Sequence, residues 1–160
     1  MCNQAENHLN FMREAIRLSV ENVKNGGGPF GAVIVKEGRV ISTGVNQVTK
    51  INDPTAHAEV NAIRAASKAL SDFDLKGCTI YTSCEPCPMC LAAIYWARID
   101  TIYFANTKAD AKAILFDDSF IYDEIALPIS KRKIPTIPLL RDEALKAFDD
   151  WKNKPDKIEY

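Results

Sequence analysis

The chain has 160 residues, of which 47% are hydrophobic and 26% charged, and this length and composition predict one globular domain rather than a disordered or fibrous chain. Its 20 basic and 21 acidic residues give a net charge of −1, which argues against a nucleic-acid partner, since such proteins are usually strongly basic. The longest wholly apolar run, residues 89–97, is shorter than the ~20 residues needed to span a bilayer. The polar N-terminus contains no secretory signal pattern, so we expect a cytoplasmic protein without a membrane partner.

The N-terminal half of the sequence predicts a helix, a hairpin and a second helix. Apolar residues spaced by three and four predict an amphipathic helix over residues 6–25. Two apolar segments, 30–35 and 40–45, flank a polar turn and predict two strands of a hairpin. Asp53 precedes a proline, which predicts a capped helix over residues 54–70.

The next segments predict a strand over residues 78–82, a helix from Pro88 to about residue 97, and a strand over 101–105. Strands that alternate with helices indicate an α/β layer fold with a mixed sheet and helices on both faces.

The C-terminal part predicts smaller elements. We expect short helices over residues 109–115 and 119–125, a last strand over 135–140, and a final helix that ends before Pro155. A short tail, residues 155–160, follows.

Two motifs predict a metal site. His57-Ala58-Glu59 lies near the start of the second predicted helix, and Cys87-Pro88-Met89-Cys90 opens the next one. Cysteines three residues apart on a first helical turn face the same way, and a helix N-terminus favours thiolates. Zn²⁺ accepts two thiolates and an imidazole, which leaves a fourth tetrahedral position for water, as in catalytic sites. Glu59 is then placed to act as a general acid and base beside that water.

Other interpretations of these residues remain open. The chain has five cysteines, an odd number that argues against a disulfide scaffold. A Cys-x-x-Cys pair also occurs in thioredoxin-like redox proteins. An iron–sulfur run would need a fourth cysteine where Ile94 stands. Cys84 is a candidate fourth ligand, which would close a structural zinc site and exclude catalysis.

The two motifs resemble the signature of the zinc-dependent cytidine-deaminase-like superfamily. The resemblance covers essentially the whole chain. Within the superfamily, the sequence is most similar to the small bacterial guanine deaminases. It is carried by residues 27–35, 52–59, 81–90 and 94–98, and by the more specific segments 116–122 and 159–160.

The resemblance implies a three-layer α/β/α fold and hydrolytic deamination of a purine base, guanine to xanthine with release of ammonia, by a zinc-activated water. It implies that zinc is the cofactor and that Glu59 carries protons. It also implies a homodimer in which the C-terminal segment, about 109–160, is swapped between subunits. The zinc ligands implied are His57, Cys87 and Cys90, and the residues implied to contact the base are Asn46, Phe30, Asp118 and Tyr160.

The residues implied to contact the base also have ordinary structural explanations. Phe30 begins an apolar strand and could pack in the core. Asp118 precedes Ser119 and could cap a helix. Tyr160 is the last residue, and chain ends are commonly disordered.

Three other functions compete with the deamination of guanine. A tRNA adenosine deaminase would share the metal motifs but should need a basic surface for phosphates. Cytosine or cytidine deamination would use the same site. A non-catalytic interaction module, stabilised by zinc with Cys84 as fourth ligand, is the alternative outside enzymes.

Overall fold

The computed structural model describes the backbone of residues 2–160 and the side chains of residues 5–160. A 3₁₀ turn, Ile129–Lys131, lies between the last two helices. Along the chain the helices and strands are α1 (Cys2–Lys24), β1 (Gly31–Lys36), β2 (Arg39–Val45), α2 (Val48–Ile51), α3 (Ala58–Leu70), β3 (Cys78–Cys84), α4 (Pro88–Trp96), β4 (Thr101–Asn106), α5 (Lys108–Ala113), α6 (Ser119–Ala126) and α7 (Arg141–Asn153).

The strands form one mixed sheet in the order β2-β1-β3-β4. β1 pairs antiparallel with β2 and with β3, whereas β3 and β4 are parallel. The predicted hairpin is confirmed. Its turn places Glu37 at φ 50 and Gly38 at φ 73, the pair of positive angles that a type I′ turn requires.

Helices cover both faces of this sheet. α1 packs on one face, where Val33 and Val35 point, and α3 and α4 pack on the other, where Ala32 and Ile34 point. This alternation is the period of two of a β-strand. The predicted three-layer α/β/α fold with a mixed central sheet is therefore confirmed.

One predicted helix start and one predicted strand are wrong, whereas the second helix itself is confirmed and ends at Leu70 as predicted. The second helix begins at Ala58 rather than at residue 54, because the Asp53 carboxylate accepts hydrogen bonds from the backbone nitrogen (2.8 Å) and the hydroxyl (2.7 Å) of Thr55 and so closes a local turn. Residues 135–140 form no strand, because Pro135 and Pro138 lack the N–H groups that a strand ladder needs.

The chain divides into two compact units, residues up to Asp118 and Ser119–Tyr160. The first contains the sheet and every buried residue among those described. The second contains α6, the 3₁₀ turn and α7, and none of its residues is buried. Across residues 2–160, the helices fall short of the length and apolar character that crossing a bilayer demands. The organisation as one domain stays a prediction.

α3 lies directly against the backbone of β2. A Cβ atom built on Gly44 would lie 2.6 Å from the backbone nitrogen of Ala62 and closer still to the carbonyl oxygen of Ala58. The small alanines of α3 and the missing side chain at residue 44 together allow this close approach.

We expect Gly44→Ala to lower the free energy of unfolding by about 1–3 kcal/mol, because the added methyl group overpacks this contact. Urea denaturation measures the change. Thr43→Ala, at the exposed neighbouring position of the same strand, is the matched control and should stay within about 0.5 kcal/mol of wild type. Equal stability of the two variants would contradict this packing.

Candidate metal centre and active site

The two motifs that the sequence analysis predicted to form a metal site lie at one edge of the sheet. β2 and β3 are both antiparallel to β1, so they run in the same direction, and their C-terminal residues Val45 and Cys84 lie at one edge. α3 and α4 follow these two strands along the chain. The carboxyl ends of parallel strands are where α/β sheets usually bind ligands.

His57, Cys87 and Cys90 meet at this edge. His57 is the N-cap residue of α3, Cys87 is the N-cap residue of α4, and Cys90 lies in the first turn of α4. Their candidate ligand atoms all lie within 4.8 Å of one another. The predictions that both motifs open helices, and that the two sulfurs face the same way, are confirmed.

The spacing of these atoms fits zinc. The Nδ1 atom of His57 lies 3.6 Å from the Sγ atom of Cys87 and 3.5 Å from that of Cys90. Tetrahedral zinc with Zn–S bonds of about 2.3 Å and Zn–N bonds of about 2.0–2.1 Å would separate sulfur and nitrogen by about 3.6 Å. The three side chains are thus already spaced as ligands of one ion, with His57 contributing Nδ1.

The protonation of the cluster also favours a cation. The hydrogen bond between the two thiols lowers the pKa of Cys87 and raises the pKa of Cys90. The hydrogen bond with Cys87 raises the pKa of His57. A divalent cation would replace the proton that the two sulfurs share and let both bind as thiolates.

Glu59 lies beside this cluster without belonging to it. It is in the first turn of α3 and only 8% exposed. Its Oε2 atom lies 3.4 Å from the Sγ atom of Cys90. Burial, ahead of all other effects, raises the pKa of this carboxyl group. A carboxyl group of raised pKa next to a metal site has the properties of a general acid and base.

Cys84 is placed differently from the other two motif cysteines. It ends β3, and its Sγ atom lies 3.7 Å from the carbonyl oxygen of Thr107. Burial raises the pKa of its thiol to about 11. Since Cys84 is outside the cluster of candidate ligands, the geometry opposes a closed site with three cysteines and one histidine.

Phe30 and Asn46 lie at the same edge of the sheet. The backbone nitrogen of Asn46 donates to the carbonyl oxygen of Phe30 at 3.2 Å. Asn46 is buried, and its Oδ1 atom accepts from the backbone nitrogen of Val48. The ring of Phe30 packs against the core and meets the ring of Phe116 edge-on, with centroids 5.0 Å apart. The core-packing explanation of Phe30 therefore holds, and its role with a base stays a prediction.

The last two predicted site residues fall in different units. Asp118 ends the first unit, and the pKa of its carboxyl group is raised, first by burial and then by the negative charge of Cys87. Asp118 therefore lies within electrostatic reach of the cysteine cluster. Tyr160 ends the second unit and is 72% exposed.

Sequence reasoning missed Asn61. From α3, its Nδ2 atom donates to the carbonyl oxygens of Val45 at 2.9 Å and Ala56 at 3.3 Å. It thus fastens the residue before His57 to the end of β2. The available signal was an asparagine inside a predicted helix. Asparagine is unfavourable in a helix interior, so its presence there suggests that its amide makes a hydrogen bond elsewhere.

A mixed sheet between two helical layers, with one histidine and two cysteines at the starts of two helices, defines a metal-binding α/β domain. Residues 5–106 match the family described as the cytidine and deoxycytidylate deaminase zinc-binding region. The chain belongs to this family, and its cofactor is zinc.

Two relatives and one solved structure show how far the similarity extends. The chain is 53% identical to guanine deaminase of Bacillus subtilis over 155 residues, which is 96% of this chain and 99% of that protein. It is 32% identical to a tRNA-specific adenosine deaminase of Buchnera aphidicola over 146 residues, 90% of this chain and 93% of the other. The X-ray structure of guanine deaminase from Bacillus subtilis superposes with a TM-score of 0.93 at 52% identity and covers 96% of this chain and 98% of that one.

Replacing a predicted ligand should remove the metal. We expect Cys87→Ser to lose most of its zinc because two remaining ligands hold zinc weakly, whereas Cys84→Ser should retain about one zinc per chain. Metal analysis of the purified variants measures both. Equal zinc loss in the two variants would contradict the three-residue site.

Proposed function

We propose that the chain is a guanine deaminase, which hydrolyses guanine to xanthine and ammonia. The observation that carries the proposal is the 53% identity with guanine deaminase of Bacillus subtilis, since it extends over 96% of the chain and so continues beyond the family match at residue 106. The net charge of −1 favours a small base over the alternative substrate, a tRNA.

His57, Cys87 and Cys90 would hold the zinc ion. When bound, zinc supplies Lewis-acid chemistry, which makes water a nucleophile near neutral pH. The N-termini of α3 and α4 both lie at this cluster, since His57 and Cys87 are their N-cap residues, and the positive ends of the helix dipoles would stabilise the thiolate charges.

Glu59 would move protons in this reaction. Burial raises the pKa of its carboxyl group above the usual value, which makes the protonated form easier to reach, as a group that takes and returns a proton needs. Deamination needs one group to take a proton and deliver it to the purine and its leaving amine. Glu59 is suited to this because its carboxyl group lies against the ligand cluster without being one of the ligands.

Phe30, Asn46 and Asp118 would bind the base. An aromatic ring can stack on the flat face of a purine. A carboxamide can donate to and accept from its polar edge, and a carboxylate can accept from the exocyclic amine and ring N–H of guanine. Asp118 is partly buried, and this burial raises the pKa of its carboxyl group; a hydrogen bond to a group shielded from water is stronger than one in bulk solvent.

A panel of substrates tests the proposed activity. The zinc-loaded chain is incubated with guanine, adenine, cytosine, their nucleosides and a tRNA, and ammonia is followed. We expect release from guanine first. Release from another substrate, with none from guanine, would refute the assignment.

Glu59→Gln should keep its zinc and lose at least about 10²-fold in turnover, because the amide cannot carry the proton. The matched control is Glu85→Gln, at a residue whose Oε2 accepts from the backbone nitrogen of Lys108, a bond that the glutamine oxygen can also accept. Near-wild-type turnover of Glu59→Gln would exclude the carboxylate from the mechanism.

We also propose that the chain works as a homodimer in which the C-terminal segment, about residues 109–160, completes the partner's site. The second unit leaves large apolar side chains exposed, among them Ile137 (80%), Leu139 (82%) and Phe148 (74%). Such a surface usually becomes buried against another protein.

We further propose that the protein acts in the cytoplasm. The cysteines of the cluster form no disulfide, and thiols stay reduced in that compartment.

Deleting residues 156–160 should leave zinc content and folding intact and lower guanine deamination, because Tyr160 would no longer cover the bound base. An equimolar mixture with Glu59→Gln tests the swap by subunit exchange. Half of the dimers are then mixed and one of their two sites is complete, so activity should return to about a quarter of wild type. A mixture as inactive as its components, despite proven exchange, would show that the tail does not act across the dimer.

A further inference from the structure

The side chain of Asn22 joins two segments at the predicted base-binding edge. Asn22 lies in the last turns of α1 and is only 4% exposed. Its Nδ2 atom donates to the carbonyl oxygen of Gly28 at 2.8 Å and to that of Asn46 at 2.7 Å. Both hydrogens of the amide are therefore used, one on the loop before β1 and one on Asn46, the residue that follows β2.

Two glycines of the loop before β1, Gly27 and Gly28, lie close to the side chains of Asn22 and Asn46. A Cβ atom on Gly27 would lie 2.6 Å from Oδ1 and 2.7 Å from Cγ of Asn22, so any side chain there would displace the amide. A Cβ atom on Gly28 would lie 3.0 Å from Cγ and Oδ1 of Asn46. Gly27 thus leaves room for Asn22, and Gly28 leaves room for Asn46.

The fixed loop leads directly into Phe30. The backbone nitrogen of Phe30 donates to the carbonyl oxygen of Gly28 at 2.9 Å, and the carbonyl oxygen of Phe30 accepts from Asn46. Asn22 therefore binds the carbonyl groups of the two residues, Gly28 and Asn46, to which the backbone of Phe30 is hydrogen-bonded. Losing this amide would take the side-chain donor from the carbonyl oxygen of Asn46 and one of two donors from that of Gly28, and a buried carbonyl group that loses its donor is costly.

We propose that Asn22 is a positioning residue for base recognition: it fixes the backbone of Gly28 and Asn46, and through them the side chains of Phe30 and Asn46. This inference rests on the proposed function, since it takes Phe30 and Asn46 as the residues that contact guanine. The hydrogen bonds of the Asn22 amide go to this loop and strand, not to the zinc ligands. Replacing Asn22 should therefore weaken the binding of the base and leave the rate of the chemical step unchanged.

The test is Asn22→Ser, a smaller polar residue that cannot reach both carbonyl groups. We expect the KM for guanine to rise roughly five- to tenfold, the loss expected for one or two net hydrogen bonds, while kcat stays within about twofold of wild type. Ser19→Ala is the matched control. It removes another buried polar group of α1, whose hydroxyl donates to the carbonyl oxygen of Ile16 within the helix, and it should leave KM unchanged.

Gly28→Ala provides a second variant that keeps Asn22 intact. Its methyl group would press on the carboxamide of Asn46, so it should raise KM in the same way as Asn22→Ser, even if Asn22→Ser folds poorly. A normal KM in both variants would overturn the proposal, as would an equal fall in kcat and kcat/KM.

Hydrogen exchange separates the positioning from the activity. In Asn22→Ser, the amides of Phe30 and Asn46 should exchange faster than in Ser19→Ala, whichever substrate the enzyme takes. Faster exchange with no deamination of guanine by the wild type would refute the proposed function but support the positioning of the backbone by Asn22. Unchanged exchange would refute the positioning role of Asn22 itself.

Discussion

The close packing of α3 on the backbone of β2 determines where the metal cluster lies. Gly44 has no side chain, and the first turns of α3 present only small residues to it, Ala58 and Ala62. The helix therefore lies against the strand with no side chain between them, and His57, its N-cap residue, is placed with it. Asn61 adds a second attachment from α3 to the end of β2. The packing of the core thus fixes the position of the histidine ligand, and a site built on helices and strands is held more precisely than one built on loops.

The cluster and the neighbouring Glu59 bring together groups that repel or desolvate one another without a cation. Two sulfurs, an imidazole and the buried carboxyl group of Glu59 share one small volume, and the pKa of each is shifted by its neighbours or by burial. Burying such groups is unfavourable unless their charges are compensated. A zinc ion removes the shared proton and balances both thiolates, so metal binding and the stability of this edge are coupled. Burial also raises the pKa of Glu59, which suits this carboxyl group to the proposed proton transfer.

Much of this arrangement could be predicted from the sequence, because its signals are local. The hairpin is marked by its turn, and the ligands are marked by the spacing Cys87-x-x-Cys90 and by His57-x-Glu59 at the starts of helices. The errors came where local chemistry has two outcomes: Asp53 could cap a helix and instead closes a turn with Thr55, and residues 135–140 are apolar but contain two prolines. Asn22 and Asn61 could not be found from spacing, because their partners lie on other elements and only the folded chain brings them together. The roles of Asp118 and Tyr160 rest on resemblance, since no local pattern identifies a base-binding residue.

The central claim is that His57, Cys87 and Cys90 form a three-residue zinc site with a fourth position left for water. X-ray absorption at the zinc edge of the wild-type protein tests it most directly, because sulfur and nitrogen or oxygen ligands are resolved by distance. The account predicts two sulfurs at about 2.3 Å and two lighter ligands at about 2.0–2.1 Å. A shell with three sulfurs would show that Cys84 is a ligand and that the site is closed, which would contradict both the geometry of the cluster and the proposed catalysis.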